Sequence, residues 1–486
     1  MGVKRVVVIG SGPGGVSAAA LLAHAGHQVT LLERNPILGG KCSSLARGGY
    51  TVDTGVHMFG RGPYGPFGDI SRILGCGPAW VASRPSFTLS LSGRGKLEMA
   101  SSVFHPLSLL NFAKGHLKGW QKMGWISTGA KSLESLGALG TARLARKFHD
   151  RRDPLYGELQ GVSAMEFLSS LSDSPDFLRT FHAQAMLTMV LPWHRASMGE
   201  FAYILASTMR AAHLCYPRGG AGAIPAAYLD FLSRSGGDIR AGCAVDRILV
   251  EGGRARGVVT SEGELIPADL VVSNAGLANT VELAGRDNFP PEYLEMADSA
   301  SDSEAFIAVK FFLDGRIRTM RTPCLLHLPD LDPFHMFDYL ENGKAPEDLF
   351  LFVTAPALWD ASLAPTGRDM LLVGAPAPSD LAAGDRCRAV LDLAEEIARS
   401  LFPEIDASAV EVERVATPAI ASLSGRRGGD CIGLAQQVGQ DVSNRPSQET
   451  PVHGLFLVGS DAGGRGIGTE MAADSALRLF FKLKDA

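Results

Sequence analysis

The chain has no C-x-x-C pair, no H-x-x-x-H pair and no spaced group of carboxylates suited to a cation. No metal site is therefore expected. The seven cysteines (Cys42, Cys76, Cys215, Cys243, Cys324, Cys387 and Cys431) are scattered and odd in number. They read as reduced thiols in a cytoplasmic protein rather than as a disulfide framework. A G-x-S-x-G elbow is also missing, so the sequence gives no sign of a serine hydrolase. No run of about 18 uncharged apolar residues occurs, so a membrane-spanning helix is not expected. The first strand pattern starts near Val3, which leaves no room for a signal peptide. The net charge is only -5, too small for a nucleic-acid binder with a general electrostatic footprint. No internal repeat or low-complexity tract stands out.

The chain does have length, glycine and one dense motif. Its 486 residues, 46% apolar and 20% charged, suggest a globular protein of two or three domains. The stretch Val6 to Ile9 is a short apolar strand that runs into Gly10-x-Gly12-x-x-Gly15 and then a small-residue helix. Gly10 permits the tight turn, Gly12 a close approach of backbone to a pyrophosphate, and Gly15 close packing of helix on strand. Pro13 and Gly14 complete the loop. The helix N-terminus then offers free amides to an anion. Gln28 to Glu33 reads as the next parallel strand, and its terminal acid, Glu33, is placed to bind an adenosine ribose. Strand, glycines, helix, second strand and acid together point to a bound dinucleotide.

Three further blocks fit that unit. Leu38-Gly39-Gly40-Lys41 follows the second strand, with Gly40 folding over the ligand and Lys41 near phosphate or the ring. Residues 216–276 read as a loop, a helix from Ala223 to Ser235, and short strands at Ile239–Ala241, Ala244–Glu251, Ala255–Ser261 and Glu264–Pro267 separated by hairpin turns. A buried parallel-type strand at Asp269–Gly276 closes this block. Near the C-terminus, an apolar strand at Gly454–Val458 enters a turn at Gly459-Ser460-Asp461, and a helix starts after Gly468-Thr469-Glu470. Asp461 is placed to hold a ribityl hydroxyl or a phosphate-bound water. The dipole of the last helix would favour negative charge on a reduced ring.

The blocks VVVIGSGPGGVSAAALLAHAGHQVTLLERN, LGGKCSS, YPRGGAGAIPAAYLDF, ADLVVSNAG and GLFLVGSDAGGRGIGTEMAADSA, in this order and spacing, resemble the phytoene desaturase family within the amine-oxidase-like flavoproteins. The resemblance covers the nucleotide-binding blocks, about half the chain. It implies an FAD cofactor held by Gly10, Gly12, Pro13, Gly14, Gly15, Glu33, Arg34, Gly40, Lys41, Val245, Gly459, Asp461, Gly468 and Thr469. It also implies an α/β fold, with a discontinuous Rossmann-type FAD-binding domain and an inserted α+β substrate domain. The corresponding segments are 1–80, 215–279 and 415–486 for FAD, and 81–214 and 280–414 for substrate. Family substrates are long isoprenoids and polyenes, with desaturases, isomerases and saturases represented. The sequence departs from the usual desaturase pattern twice. Asp53-Thr54-Gly55-Val56-His57 is more similar to retinol saturases, and Gly466-Ile467-Gly468-Thr469-Glu470 replaces a more apolar run.

In the inserted segments, Leu109 to Met123 places Leu109, Leu110, Phe112, Leu117, Trp120 and Met123 on one helical arc and Lys114, Lys118 and Lys122 on the other. This suits peripheral membrane contact through residues 105–126, or equally a helix packed on a core. The Phe-, Met- and Leu-rich stretch 151–215 suits tunnel wall or plain core. Phe306–Leu313, Leu349–Thr354 and Met370–Gly374 are expected strands, and Arg388–Leu401 an expected helix.

Flavin is thus the one strong reactive group. His57 is the first candidate catalytic residue, because an imidazole suits proton transfer near neutrality. It can equally serve as a turn residue bonded to backbone. Glu470 is the second, as an acid or base or as a first-turn carboxylate complementing the helix dipole. The expected reaction is desaturation of an apolar isoprenoid or polyene, with oxygen, a quinone or another acceptor taking the electrons. A saturase, a cis/trans isomerase, an amine oxidase and a non-catalytic prenyl-binding protein are the alternatives.

Overall fold

The computed structural model describes residues 2–55, 57–83, 85, 87–93, 95–99, 155–211, 214–442 and 444–484. The expected amphipathic segment 105–126 lies outside them. Among the described residues no helix is long and apolar enough to cross a membrane, and no group of His, Cys, Asp and Glu is arranged to hold a metal ion.

Two sheets organise the molecule. The first is five-stranded and parallel, ordered Leu455–Leu457, Leu270–Ser273, β1 (Arg5–Ile9), β2 (Gln28–Glu33) and Asp238–Ala241. The helix α1 (Pro13–His24) crosses between β1 and β2. Val6 to Ile9 are buried on both faces, as strands in a covered parallel sheet must be. One face is closed by α1 and the helices Ala223–Arg234 and Gly468–Lys484, which pack on it. Small residues allow that approach: Ala18, Ala19 and Ala20 of α1 and Ala473 and Ala476 of the last helix are all buried. The other face carries the antiparallel strands Val245–Glu251, Arg254–Thr260 and Leu265–Pro267 and a second apolar core around Val7, Ile9 and Val271.

One strand differs from its expected place. Asp238–Ala241 is not part of the hairpin series but pairs parallel with β2, Thr30 opposite Asp238. The helix Ala223–Arg234 carries the chain back across the sheet, so the strand after it returns in the same direction as β2.

The second sheet has seven strands, ordered Ala409–Val415, Ala305–Leu313, Asp369–Ala377, Leu351–Thr354, Cys324–Leu328, Phe87–Leu91 and Gly95–Met99. All neighbours are antiparallel except Cys324–Leu328 with Phe87–Leu91. Its central strands are mostly apolar and almost wholly buried, with Lys310 and Asp369 as the charged exceptions. The helix Gly384–Leu401 packs against it through Cys387, Val390, Leu391, Ala394 and Ala398. The helices Ala164–Leu171, Pro175–Met189 and Met198–Ala211 form a separate helical group. The site lies where the carboxyl ends of the parallel strands meet the large sheet.

Candidate functional site

The carboxyl ends of β1, β2, Leu270–Ser273 and Leu455–Leu457 open into a cavity of about 400 Å³. Ligands bind at this end of open parallel sheets because the helices that follow present their N-termini there. Of the residues named for FAD, Gly10, Gly12, Pro13, Glu33, Arg34, Gly40, Lys41, Val245, Gly459, Asp461, Gly468 and Thr469 line the cavity. Gly14 and Gly15 lie behind it. A Cβ on Gly15 would run into the Gly10 carbonyl oxygen, and one on Gly14 would come 2.7 Å from Asn274 Oδ1 and 2.8 Å from the Gly459 Cα. No side chain caps α1 at Gly12, so its first-turn amides face the cavity without a protein partner of that kind. An uncapped helix start, a glycine cradle and a cavity of this size fit a dinucleotide.

Glu33 has a second task. Its Oε2 accepts from the Ser11 amide at 2.8 Å and the Ser11 hydroxyl at 2.7 Å, and its Oε1 from the Asn35 amide at 2.9 Å and Asn35 Nδ2 at 3.0 Å. Four bonds match the lone-pair sites of a carboxylate, so the acid braces the glycine turn from the next strand. Asp461 is similarly engaged. Its Oδ2 accepts from the Leu277 amide at 2.9 Å and Arg426 Nη1 at 2.7 Å, and its Oδ1 from the Leu434 amide at 3.2 Å. Burial alone would raise its pKa, but Arg426 and these donors outweigh burial and hold it below the usual carboxylate range.

Lys41 is turned to Asp430, with Nζ at 3.0 Å from Oδ2. It lines both this cavity and a second chamber of about 160 Å³, which also shares Leu423, Cys431, Ile432, Gly468 and Thr469 with the first. The chamber wall is otherwise mostly apolar. Met58, Leu187, Phe306, Ala308, Phe352, Val415, Ile420 and Ile467 contribute, drawn from the large sheet, the helix Pro175–Met189 and the loops. Val190, the described non-glycine residue with a left-handed φ of 51°, also faces it at the end of that helix.

His57 lies on the chamber wall. Its ring is hydrogen-bonded to the Lys41 backbone, and its buried Nε2 has no hydrogen-bond partner. Burial pushes the imidazole pKa below its ordinary value. Asp53 and the Lys41 backbone act the other way, and Lys310 adds to the lowering. The turn that carries His57 is fixed at its start. Asp53 accepts from Ser44 Oγ (2.7 Å), the Ala221 amide (3.0 Å) and Tyr216 Oη (2.5 Å), while its carbonyl accepts from Lys310 Nζ at 3.0 Å.

Glu470 also borders the chamber, yet its carboxylate is committed elsewhere. Oε2 accepts from Arg61 Nε at 2.8 Å, and Oε1 from the Arg61 and Gly62 amides at 3.0 Å each. Burial works against the Arg61 charge, but Glu470 more than offsets it.

Three site residues carried no readable signal in the sequence. Asn274 packs under Gly12, Gly14 and Gly459; the one hint is its place at the end of an apolar strand. Lys310 sits in an apolar strand. Arg426 lies in a Ser/Gly/Arg loop, and two of its three carboxylate partners, Asp302 and Asp461, are far away in the chain.

A family model described as flavin containing amine oxidoreductase matches residues 13–479. The chain is 30% identical to a zeta-carotene-forming phytoene desaturase of Myxococcus xanthus, over 94% of this chain and 89% of that protein. It is 27% identical to an all-trans-retinol 13,14-reductase of Homo sapiens, over 68% of this chain and 56% of that protein. An oxidoreductase from Methanosarcina mazei has the same fold, with a TM-score of 0.73 at 21% identity, covering 98% of this chain and 100% of that one.

Proposed function

From a chain that belongs to the flavin-containing amine oxidoreductase family and is an FAD-dependent oxidoreductase, we propose an enzyme that desaturates a long apolar polyene of the carotenoid or retinoid type. The observation that carries this reading is the apolar chamber that shares a wall with the dinucleotide cavity. Most of such a wall can lie against a hydrocarbon without loss of hydrogen bonds, and His57 Nε2 is the unpartnered polar atom that faces it. The names of the relatives, which act on phytoene and retinol, support the same class.

The glycine turn at residues 10–15 and the amides of α1 would hold the diphosphate. Glu33 keeps that turn in shape, and Asp461, Lys41, Gly468 and Thr469 would hold the rest of the cofactor. FAD, when bound, supplies a two-electron acceptor that takes a hydride from an activated C–H bond. The chain must deal with the proton that also leaves. His57 is the group for it: neutral, facing the chamber, with Nε2 free to accept. The apolar wall orients the chain of double bonds and keeps water from the reacting carbons. Glu470 acts on this site indirectly, by holding Arg61 beneath the start of the last helix.

A second reading, reduction of a polyene, is favoured by His57 itself, because a histidine able to accept a proton can also return one. Anaerobic titration of the yellow holoenzyme separates the two. Bleaching of the flavin by a long polyene, and not by reduced nicotinamide, supports desaturation. Bleaching by reduced nicotinamide, with the polyene then restoring the colour, supports reduction. Bleaching by amines alone would overturn both.

A further inference from the structure

One wall of the dinucleotide cavity is a helix end and the loop that follows it. Leu423 and Ser424 of the helix, then Gly425, Arg426, Cys431 and Ile432, line it. This loop segment follows the helix Thr417–Ser424 and arches across the cavity between two glycines in left-handed conformation, Gly425 at φ 73° and Gly433 at φ 87°. Such positions let the backbone turn sharply where a side chain would be strained.

The partly buried segment makes backbone bonds, from the Gly429 and Cys431 amides to the Ser379 and Glu304 carbonyls and from the Ser303 amide to the Gly433 carbonyl, and side chains hold it and the helix end before it. Arg34 donates to the Ser422 carbonyl, Asn35 Nδ2 to the Leu423 carbonyl at 3.0 Å, and Asn279 Nδ2 to the Gly425 carbonyl at 2.8 Å. Lys41 holds the far end through Asp430. At the centre is Arg426. Its Nε meets Asp430 Oδ1 at 2.6 Å, its Nη1 Asp461 Oδ2 at 2.7 Å, and its Nη2 Asp302 Oδ1 at 2.5 Å. One guanidinium therefore ties the segment to itself, to the turn after Leu455–Leu457, and to the chain entering the large sheet. Asp430 and Asp461 are buried, and Asp302 is partly so. These are charge-assisted bonds away from water, the kind that hold tightly.

We infer that residues 425–433 are a strap closed over the cofactor, with Arg426 as the residue that keeps it shut, so that Arg426 sets how slowly FAD leaves. The inference rests on the FAD reading above. For a dinucleotide under this wall to leave, the strap must lift, which parts Arg426 from three carboxylates and also breaks the Lys41–Asp430 pair and the backbone bonds to Ser379, Glu304 and Ser303. Asp461 lines both the cavity and an adjoining small pocket, and Asp302 lines only the small pocket.

The test is the rate of flavin release from reconstituted holoenzyme, followed by the rise in free-flavin fluorescence on dilution. Arg426→Met should release FAD roughly tenfold faster or more, the loss expected for charge-assisted bonds, and Asp302→Asn should shift the rate in the same direction by less. Arg426→Lys, which keeps the charge but not the three-way fork, should fall between wild type and Arg426→Met. Trypsin supplies an independent readout, since Arg427 stays in all variants. Holo wild type should resist cleavage there, and Arg426→Met should be cut. Asp302→Asn decides the matter if Arg426→Met does not fold. Unchanged release rates and an equally protected Arg427 in flavin-loaded variants would overturn the strap alone. A wild-type protein that takes up no FAD would overturn the cofactor reading beneath it.

Discussion

Replacing Glu470 should damage stability before chemistry. The side chains of Glu470 and Arg61 are only 4% and 5% exposed, and the carboxylate takes one bond from the guanidinium and two from backbone amides. Arg61 Nη2 already lacks a partner, so removal of the acid leaves a buried cation with no counter-charge. Loss of one member of a buried pair costs about 3–5 kcal/mol. Glu470→Ala should show that loss in full. Glu470→Gln should show the larger part of it, because an amide can still accept from the two backbone N–H groups but carries no charge. Arg61→Met combined with Glu470→Leu should be less destabilised than the two single changes summed, since each single change orphans a buried charge and the double change does not. The assay is urea unfolding of each variant at saturating FAD, with flavin content and polyene-dependent bleaching measured on the same samples. A Glu470→Gln protein with wild-type stability and bound flavin but no turnover would refute the argument and make Glu470 a catalytic acid or base.

Gly15→Ala should abolish flavin retention, because its Cβ collides with the Gly10 carbonyl and forces the dinucleotide turn open; the ratio of flavin to protein after purification reports it. His57→Gln should keep flavin and lose turnover, and wild-type turnover should be flat above about pH 6.5 and fall only below it, because burial holds the imidazole below its ordinary pKa. His182, buried against Trp193 and bonded to the Pro333 carbonyl, has its pKa lowered by burial to about 3. Above about pH 6.5 it costs nothing; below that the unfolded chain binds a proton that the native ring refuses, so stability falls by roughly 2–3 kcal/mol by about pH 4.5, and His182→Phe should flatten that part of the unfolding profile. Ala308→Phe should fill the chamber and block bleaching by polyenes while flavin content stays unchanged.

Local chemistry made much of this molecule readable from its residues. The apolar run of β1, the spacing of Gly10, Gly12 and Gly15, the small residues of α1 and the acid at the end of β2 each act over a few residues. Their geometry follows from steric freedom and helix periodicity alone. Three of the seven strands of the large sheet, expected at Phe306–Leu313, Leu349–Thr354 and Met370–Gly374, were readable for the same reason, since each is a mostly apolar run. The place of Asp238–Ala241 was not, because strand pairing depends on where the preceding helix returns the chain.

The family, the cofactor and the position of the first glycine turn were thus determined by sequence, where a short motif carries its own geometry. The assignment of individual charges was decided by tertiary structure. Glu33 reads as a ribose ligand, and only the fold shows that it also takes four bonds from Ser11 and Asn35. Glu470 reads as an acid at a helix start, yet it neutralises Arg61, more than 400 residues away in the chain. Arg426 reads as loop, yet it joins Asp302, Asp430 and Asp461. A carboxylate or guanidinium has the same chemistry wherever it stands. What it does depends on which opposite charge folding brings within about 3 Å and how completely water is removed, and both are properties of the assembled core.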